Sequence, residues 1–297
     1  MATLKEVKLK IGAVKKTQQI TRAMNMVAAS KLRGAQVNMV GFRPYASKFS
    51  EVLGSLAEKA GEETNPLLEA RAEVKKVHLV LCTSDRGLCG GFNSNLTARA
   101  ELFIKEKREQ NIDVSITNFG KKGRDWCRKN GFEIINEHIG VVGGRFGFNI
   151  AAAAGRQLIE GYLNKTYDEV HIILAEFISM ARQTSVLNQM LPILPMESLE
   201  DESEKEETPY LAEHICEPSP PELLDELLPR NVYVQLYRAL LETSTSEHAA
   251  RMAAMDNATT ACKDMIENLT LMYNKARQAA ITAELMDIVG GAEALKG

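Results

Sequence analysis

The sequence predicts an α/β domain inserted between two long helices that pair as an antiparallel coiled coil. Apolar residues recur every three or four positions over the first sixty residues and again near the carboxyl terminus, which is the repeat of helices that wrap around each other. Between them, short apolar runs alternate with helical segments, as in a mainly parallel sheet covered by helices. We expect a coiled-coil helix at 1–60, an α/β domain at 74–195, an acidic and proline-rich connector with a short helix at 196–229, and a second coiled-coil helix at 230–297.

Composition excludes several classes of protein. The formal net charge of -3 results from 36 basic and 39 acidic residues, and this near balance argues against a nucleic-acid-binding protein. No apolar run reaches the roughly 18 residues that a membrane-spanning helix needs, and charges at positions 5, 6 and 8 occupy the place of a signal peptide's apolar core. Five scattered cysteines without a C-x-x-C pair indicate reduced, mostly buried thiols of a cytosolic protein. They are Cys82, Cys89, Cys127, Cys216 and Cys262.

The first predicted helix carries one stripe at alternating spacings of three and four. The stripe consists of Leu4, Val7, Ile11, Val14, Gln18, Thr21, Asn25, Ala28, Leu32, Ala35, Met39, Phe42, Ala46, Phe49, Leu53, Leu56 and Ala60. We expect a kink near Pro44, because proline removes one backbone hydrogen bond. Sixty helical residues reach roughly 90 Å, more than a compact domain needs. The helix therefore requires a partner, and the only comparable helix lies at the other end of the chain.

Two features of this helix allow two interpretations each. Gln18, Thr21 and Asn25 interrupt the stripe, either to fix the register of the helix pair or because this part of the helix faces another protein. The same region has a basic face that is either simply solvated or contacts an acidic partner. Against the single acid Glu6, that face contains Lys5, Lys8, Lys10, Lys15, Lys16, Arg22, Lys31 and Arg33.

The middle of the chain predicts alternating strands and helices. We expect strands at 77–82, 112–118, 132–135, 170–177 and 186–194, with helices at 92–108, 121–129 and 149–163. Acidic residues dominate 197–207, which predicts a solvated loop, and an extended connector follows at 209–221. We expect a short helix at 222–228 that ends at Pro229, because proline breaks helices, and a long helix that begins near Asn231.

A glycine-rich turn, Thr83-Ser84-Asp85-Arg86-Gly-Leu-Cys-Gly-Gly, joins the first strand to the first helix of this domain. Such a turn is where a nucleotide phosphate can bind, but neither Gly-Lys-Ser/Thr nor G-x-G-x-x-G is present. We therefore favour a tight turn with close backbone packing over a phosphate site. The five histidines lack metal-ligand spacing, and no serine lies in G-x-S-x-G. We expect no catalytic, cofactor-binding or metal-binding residue.

The carboxyl-terminal helix repeats the coiled-coil spacing with small or flexible residues. Its predicted seam is Met255, Ala258, Cys262, Met265, Leu269, Met272, Ala276, Ala279, Ala283 and Met286. Such residues allow a partner helix to approach closely.

Three stretches resemble the gamma subunit of F-type ATP synthases, the central rotor shaft. Lys275-Ala-Arg277-Gln278-Ala-Ala-Ile281-Thr282-Ala-Glu284 closely resembles its C-terminal signature, and Thr21-Arg22-Ala-Met24 with the residues up to Lys31 is similar to its N-terminal signature. The turn at 85–91 resembles the family's Asp-Arg-Gly-Leu-Cys-Gly-Gly, which is structural there. The likeness covers nearly the whole chain and implies a Rossmann-like domain between the paired helices.

The resemblance implies a non-catalytic central-stalk subunit that couples proton flow through the membrane c ring to conformational change at the catalytic beta subunits, and so to ATP synthesis or hydrolysis. The implied partners are the alpha and beta subunits of the head, the epsilon subunit and the c ring. The implied location is peripheral, on the cytoplasmic face of the bacterial inner membrane. The alternative function is a nucleotide-binding α/β enzyme with helical dimerisation arms, for which the sequence offers neither a phosphate loop nor acid-base residues at strand ends.

The same likeness implies particular contact residues. Arg277 and Gln278 would meet a loop of the beta subunit, with Met24 and Lys31 in the neighbouring coupling region. Glu217, in a Glu-Pro-x-Pro segment, would face the c ring. The alternatives are solvated helix surface for the first pair and a plain proline-bounded connector for Glu217.

Overall fold

The computed structural model describes residues 4–60, 65–71, 73–193 and 219–294. It confirms the predicted fold class, with long terminal helices and a mixed sheet between them. The elements are α1 (Leu4–Ala60), β1 (Lys76–Cys82), α2 (Phe92–Glu109), β2 (Asp113–Phe119), α3 (Lys121–Asn130), β3 (Ile134–His138), α4 (Phe148–Leu163), β4 (Glu169–Phe177), β5 (Gln183–Leu191) and α5 (Pro220–Ala294). Among the described residues, no helix has the length and apolarity needed to cross a membrane.

The chain forms two compact units, one from Met1–Ser30 with Arg251–Gly297 and one from Lys31–Ala250. The larger unit contains the sheet, whose strand order is β3-β2-β1-β4-β5. The first four strands are parallel, and β5 pairs antiparallel with β4. β1 is central, and six of its seven residues are buried, as expected for a strand covered on both faces.

The last strand differs from the predicted 186–194. β5 begins at Gln183, which pairs with Phe177 across a short hairpin, and ends at Leu191. Pairing with β4 draws the polar residues Gln183, Thr184 and Ser185 into the strand, and an edge strand tolerates them because one of its sides is open to solvent.

Alternate residues of β1 enter two separate apolar cores, as the two-residue period of a strand requires. Val80 and Cys82 pack in the core that contains buried residues of α4, α1 and α5. Leu79 and Leu81 pack in the core formed with α2 and α3. The sheet therefore has helices on both faces.

His78 of β1 is a buried polar residue whose contacts hold it in place. Its ring stacks on Tyr167 at 4.5 Å between centroids, and its two nitrogens lie 2.8 Å from the hydroxyls of Ser115 and Thr117. Burial lowers the pKa of His78 to about 4, so the ring is neutral at physiological pH. His78 is therefore part of the core.

Within the larger unit, α1 and α5 run in opposite directions against the sheet. Arg43 of α1 binds Glu242 of α5, whereas Asn65, beyond the end of α1, binds Asp225 near the start of α5. The predicted stripe of α1 is confirmed in this unit. Its most buried members are Leu32, Met39, Ala46, Leu53 and Leu56.

The prediction that Pro229 ends a short helix, with a new helix near Asn231, is wrong. α5 runs without interruption from Pro220 to Ala294 and contains Pro229. Leu224, Leu228 and Val232 recur at helical spacing and are all buried in the core. Their burial outweighs the roughly 3 kcal/mol that an internal proline costs a helix.

In the smaller unit, two polar contacts define the register of the helix pair. The hydroxyls of Thr21 and Thr259 lie 2.8 Å apart, and the Asn25 amide donates to the Met252 carbonyl at 2.9 Å. Later residues of α1 therefore lie opposite earlier residues of α5, so the two helices are antiparallel. Both side chains bond the partner helix, which supports register control as the interpretation of the polar residues in the stripe.

The predicted seam of α5 is correct at Cys262, Leu269 and Ala276 but wrong between them. Met265 and Met272 are 52% and 58% exposed, and Ala279 is exposed as well. The partly buried residues are instead their immediate neighbours, Ile266, Tyr273 and Ala280. Because both members of each neighbouring pair are apolar, the apolar pattern alone does not distinguish a three-then-four from a four-then-three spacing.

Ala283 and Met286 were also predicted to lie on the seam, and both are exposed. The Thr21–Thr259 contact, continued at equal rise along both helices, places Leu4 level with about Ala276. Beyond Ala280, α5 therefore extends past the first described residue of α1. Among the described residues, no part of α1 therefore lies opposite the predicted seam residues Ala283 and Met286.

The register gives a direct test of the pairing. In a chain with Cys262→Ala, the pair Thr21→Cys and Thr259→Cys should form a disulfide within one molecule, because the two hydroxyls are 2.8 Å apart. The pair Thr17→Cys and Thr259→Cys is the control, since Thr17 is exposed one turn earlier. Non-reducing electrophoresis with mass spectrometry measures both. Disulfides only between molecules would contradict the antiparallel pair.

Candidate functional site

The carboxyl edge of the parallel strands is the first place to look for a ligand site. In open α/β sheets, ligands bind beyond this edge where the strand order reverses, and here the reversal lies between β1 and β4. Two segments meet at this edge, namely the glycine-rich turn after β1 and the end of β4. The polar groups of both decide whether a ligand can bind.

Side chains of the glycine-rich turn bond one another. The Ser84 amide donates to the Asn93 side-chain oxygen at 3.0 Å, and the Asn93 amide group donates to Ser84 Oγ at 2.8 Å and to Cys89 Sγ at 3.2 Å. Leu88 and Gly90 have positive φ angles of 63° and 59°, which close the turn tightly. Ser84 and Cys89 are buried, so the turn is an internally bonded structure.

Asp85 supplies the negative charge that a bound phosphate would otherwise bring. Its carboxylate accepts the backbone amides of Lys121 at 3.0 Å and Gly140 at 2.9 Å. Lys121 is the first residue of α3, and a helix amino terminus favours an anion. Asp85 thus caps α3 from a different loop, which supports the predicted tight turn over a phosphate site.

The end of β4 is bonded by a run of polar residues in the middle of α5. All seven residues from Glu242 to His248, Glu-Thr-Ser-Thr-Ser-Glu-His, are at most 4% exposed. One Glu242 oxygen accepts from Arg43 Nε at 3.0 Å and Nη2 at 2.8 Å. Its other oxygen accepts the Phe177 amide at 3.1 Å, and Arg43 Nη2 donates to the Phe177 carbonyl at 3.3 Å. Both backbone groups of Phe177 are therefore satisfied by side chains.

Ala175 is bonded in the same way, two residues before Phe177. Its amide donates to Thr243 Oγ1 at 3.3 Å, and its carbonyl accepts from Ser246 Oγ at 3.1 Å. The pairing of β1 with β4 stops at Leu81 and Ile173, so beyond this point β4 lacks a strand on that side. Side chains of α5 and α1 take the place of the missing strand at the edge where a nucleotide would bind.

The sequence did not single out Arg43 or Glu242. The available signal was a run of seven polar residues flanked by apolar segments in a helix otherwise patterned for a coiled coil.

Burial raises the pKa of the Cys82 and Cys127 thiols. Within the described ranges, no three His, Cys, Asp or Glu residues are grouped to hold a metal ion.

The predicted contact residues lie in different environments. Arg277 and Gln278 are exposed neighbours on α5, and Met24 is partly buried on α1 in the same unit. Lys31 is exposed and belongs to the larger unit. Glu217, Cys216 and the acidic segment 197–207 lie outside the described residues.

Comparison with known proteins identifies the family. A family model described as ATP synthase matches residues 3–295. The ATP synthase gamma chain of Desulfosudis oleivorans is 67% identical over 298 residues, and that of Geobacter metallireducens is 48% identical over 297, each covering 100% of both chains. The chain belongs to the ATP synthase gamma chain family. It is a central-stalk subunit of an F-type ATP synthase and a non-catalytic member of that complex, and the enzyme alternative is not favoured.

Solved structures share the fold of this gamma family member. A chain of the Euglena gracilis mitochondrial ATP synthase, from a structure of OSCP, F1 and c-ring, aligns with a TM-score of 0.66 at 20% identity, covering 98% of this chain and 94% of that one. A chain from the central stalk and c-ring of the Tetrahymena thermophila mitochondrial enzyme gives 0.57 at 23% identity, covering 80% and 99%. At these identities the likeness concerns the fold.

The role of Asp85 as a cap is testable by stability. We expect Asp85→Ala to lower the free energy of unfolding by about 1–2 kcal/mol, because two backbone amides lose their acceptor. Asp113→Ala is the matched control, since this exposed carboxylate lies at the start of β2. Urea denaturation of the isolated chain compares them, and equal effects at both positions would show that Asp85 is not a cap.

Proposed function

We propose that this subunit is the rotor shaft that couples proton flow through the membrane c ring to conformational change at the catalytic beta subunits. The observation that carries the proposal is the helix pair of the smaller unit, whose α5 extends past α1 with apolar side chains on its surface. The large exposed residues there are Ile281, Leu285, Met286, Ile288 and Val289. Exposed apolar patches of this kind mark protein contacts.

The outer surface of α1 supports the same proposal. Leu9, Ile20, Met26 and Val27 are each about three-fifths exposed, although the stripe on the other side of the same helix is also mainly apolar. A helix pair with apolar residues on its outside as well as its inside fits a surrounding protein ring. In this proposal, the ring consists of the alpha and beta subunits of the catalytic head.

The domain division follows from this arrangement. The pair formed by α1 and the later part of α5 would be the coiled coil that enters the head, and the α/β domain at 74–195 would contact the epsilon subunit and the c ring. The segment that precedes α5 would bring Glu217 to the polar loops of that ring. The subunit would then lie peripherally on the cytoplasmic face of the bacterial inner membrane.

Arg277 and Gln278 are the proposed contacts with the beta subunit. Both are exposed, so the partner helix does not need them. Arginine presents a planar fork that binds a carboxylate through two parallel hydrogen bonds, and glutamine offers both a donor and an acceptor. Met24 and Lys31 would belong to the adjoining coupling region, where Lys31 adds a positive charge.

The test compares Arg277→Ala with Lys263→Ala in the assembled complex. Lys263 is a suitable control because it is also a basic, exposed residue of α5. The tagged chain should first copurify with alpha, beta, epsilon and c subunits from membranes washed at moderate salt. We expect Arg277→Ala to reduce coupled ATPase activity about tenfold or more, since a shielded charge-assisted bond contributes roughly 1.5–3 kcal/mol and an exposed one under about 1 kcal/mol.

Circular dichroism of the free variants should show unchanged helix content. Equal, small effects at both positions would identify Arg277 as ordinary surface. A tagged chain that emerges from the membranes without these partners would contradict the rotor proposal itself.

A further inference from the structure

We infer that Arg43 and Glu242 are force-bearing residues that join the end of β4 to α1 and α5 and make sheet and helices turn together under load. This inference rests on the proposed rotor function, because the junction carries a twisting load only in a subunit that transmits torque. It concerns the larger unit, Lys31–Ala250, in which all three elements meet. It assigns these two residues a mechanical role inside the subunit, which is separate from the proposed contacts with other subunits.

The junction has the geometry of a clamp. The Arg43 guanidinium contacts one Glu242 oxygen through two nitrogens at 3.0 and 2.8 Å, and the pair then binds the amide and the carbonyl of Phe177. One residue of α1, one of α5 and one of β4 are thus joined by four hydrogen bonds. No other residue type supplies the planar fork that this arrangement uses.

The chemistry of the junction favours resistance to twisting. Apolar packing holds α1 and α5 against the sheet elsewhere in the unit, but the hydrophobic effect is non-directional. Hydrogen bonds weaken steeply when their angles change, so a rotation of a helix about its axis breaks them. Thr243 and Ser246 form two further hydrogen bonds to β4, at Ala175, which lies two residues before Phe177.

Burial makes the clamp costly to open. The Glu242 side chain is 2% exposed and that of Arg43 is 42% exposed. A buried carboxylate that loses its cation is strongly unfavourable, whereas an exposed ion pair contributes little. Lys48 and Glu51, one to two turns further along α1, form such an exposed pair at 63% and 61% and provide the control.

The experiment uses the assembled complex, with the head fixed to a surface and held by bound nucleotide. A bead attached to a cysteine at Lys129, an exposed residue of α3, reports the angular fluctuations of the α/β domain. For Arg43→Ala and Glu242→Gln, we expect the angular variance to rise about twofold, because it varies inversely with torsional stiffness and we assign about half of that stiffness to the directional bonds. ATP-driven proton pumping per ATP hydrolysed should fall, while ATPase activity without load stays unchanged.

Lys48→Ala should behave as the unmodified complex. If Glu242→Gln prevents assembly, Arg43→Lys decides, since it keeps the charge but loses the fork, and its variance should also rise. Unchanged variance in the Arg43 variants, in a complex that contains this chain, overturns the clamp alone. Absence of the chain from the purified complex overturns both the rotor proposal and the clamp.

Discussion

The side-chain bonds from α5 and α1 to the end of β4 are the interaction on which the architecture depends. β4 continues beyond its pairing with β1, and its free backbone groups at Ala175 and Phe177 need partners. A buried backbone group without a partner costs roughly 1–3 kcal/mol. Because polar residues of α5 satisfy these groups, the helix is held in one position and at one rotation against the sheet. The buried polar run Glu242 to His248 follows from this requirement.

The same bonds occupy the edge of the sheet at which doubly wound folds bind nucleotides. Side chains of α5 bond the end of β4 there, and Asp85 caps the anion-attracting start of α3. A fold does not determine a function, since function lies in the site built on it. Here the customary site has become a structural junction, which agrees with a non-catalytic subunit of the ATP synthase complex.

The sequence predicted those features that depend on local periodicity. The stripe of α1 from Val7 to Leu56 and the order of strands and helices followed from spacing alone, because apolar burial imposes the period. The seam of α5 between Cys262 and Ala276 could not be predicted from spacing, because Met265 and its neighbour Ile266 are equally apolar. The predicted helix end at Pro229 was wrong because burial of its apolar neighbours outweighed the free energy that an internal proline costs a helix. The Arg43–Glu242 pair joins residues 199 positions apart, a distance over which one sequence carries no pairing information.

The two units contribute differently to the proposed rotor. The smaller unit presents apolar and basic surface from a helix pair whose register Thr21 and Asn25 set, and the larger unit joins its helices to a sheet through directional bonds. The most direct measurement attaches a fluorescent probe to the α/β domain of the complex, immobilises the head and adds ATP. The account predicts continuous rotation of the probe in one direction. Hydrolysis of ATP with a stationary probe would contradict it.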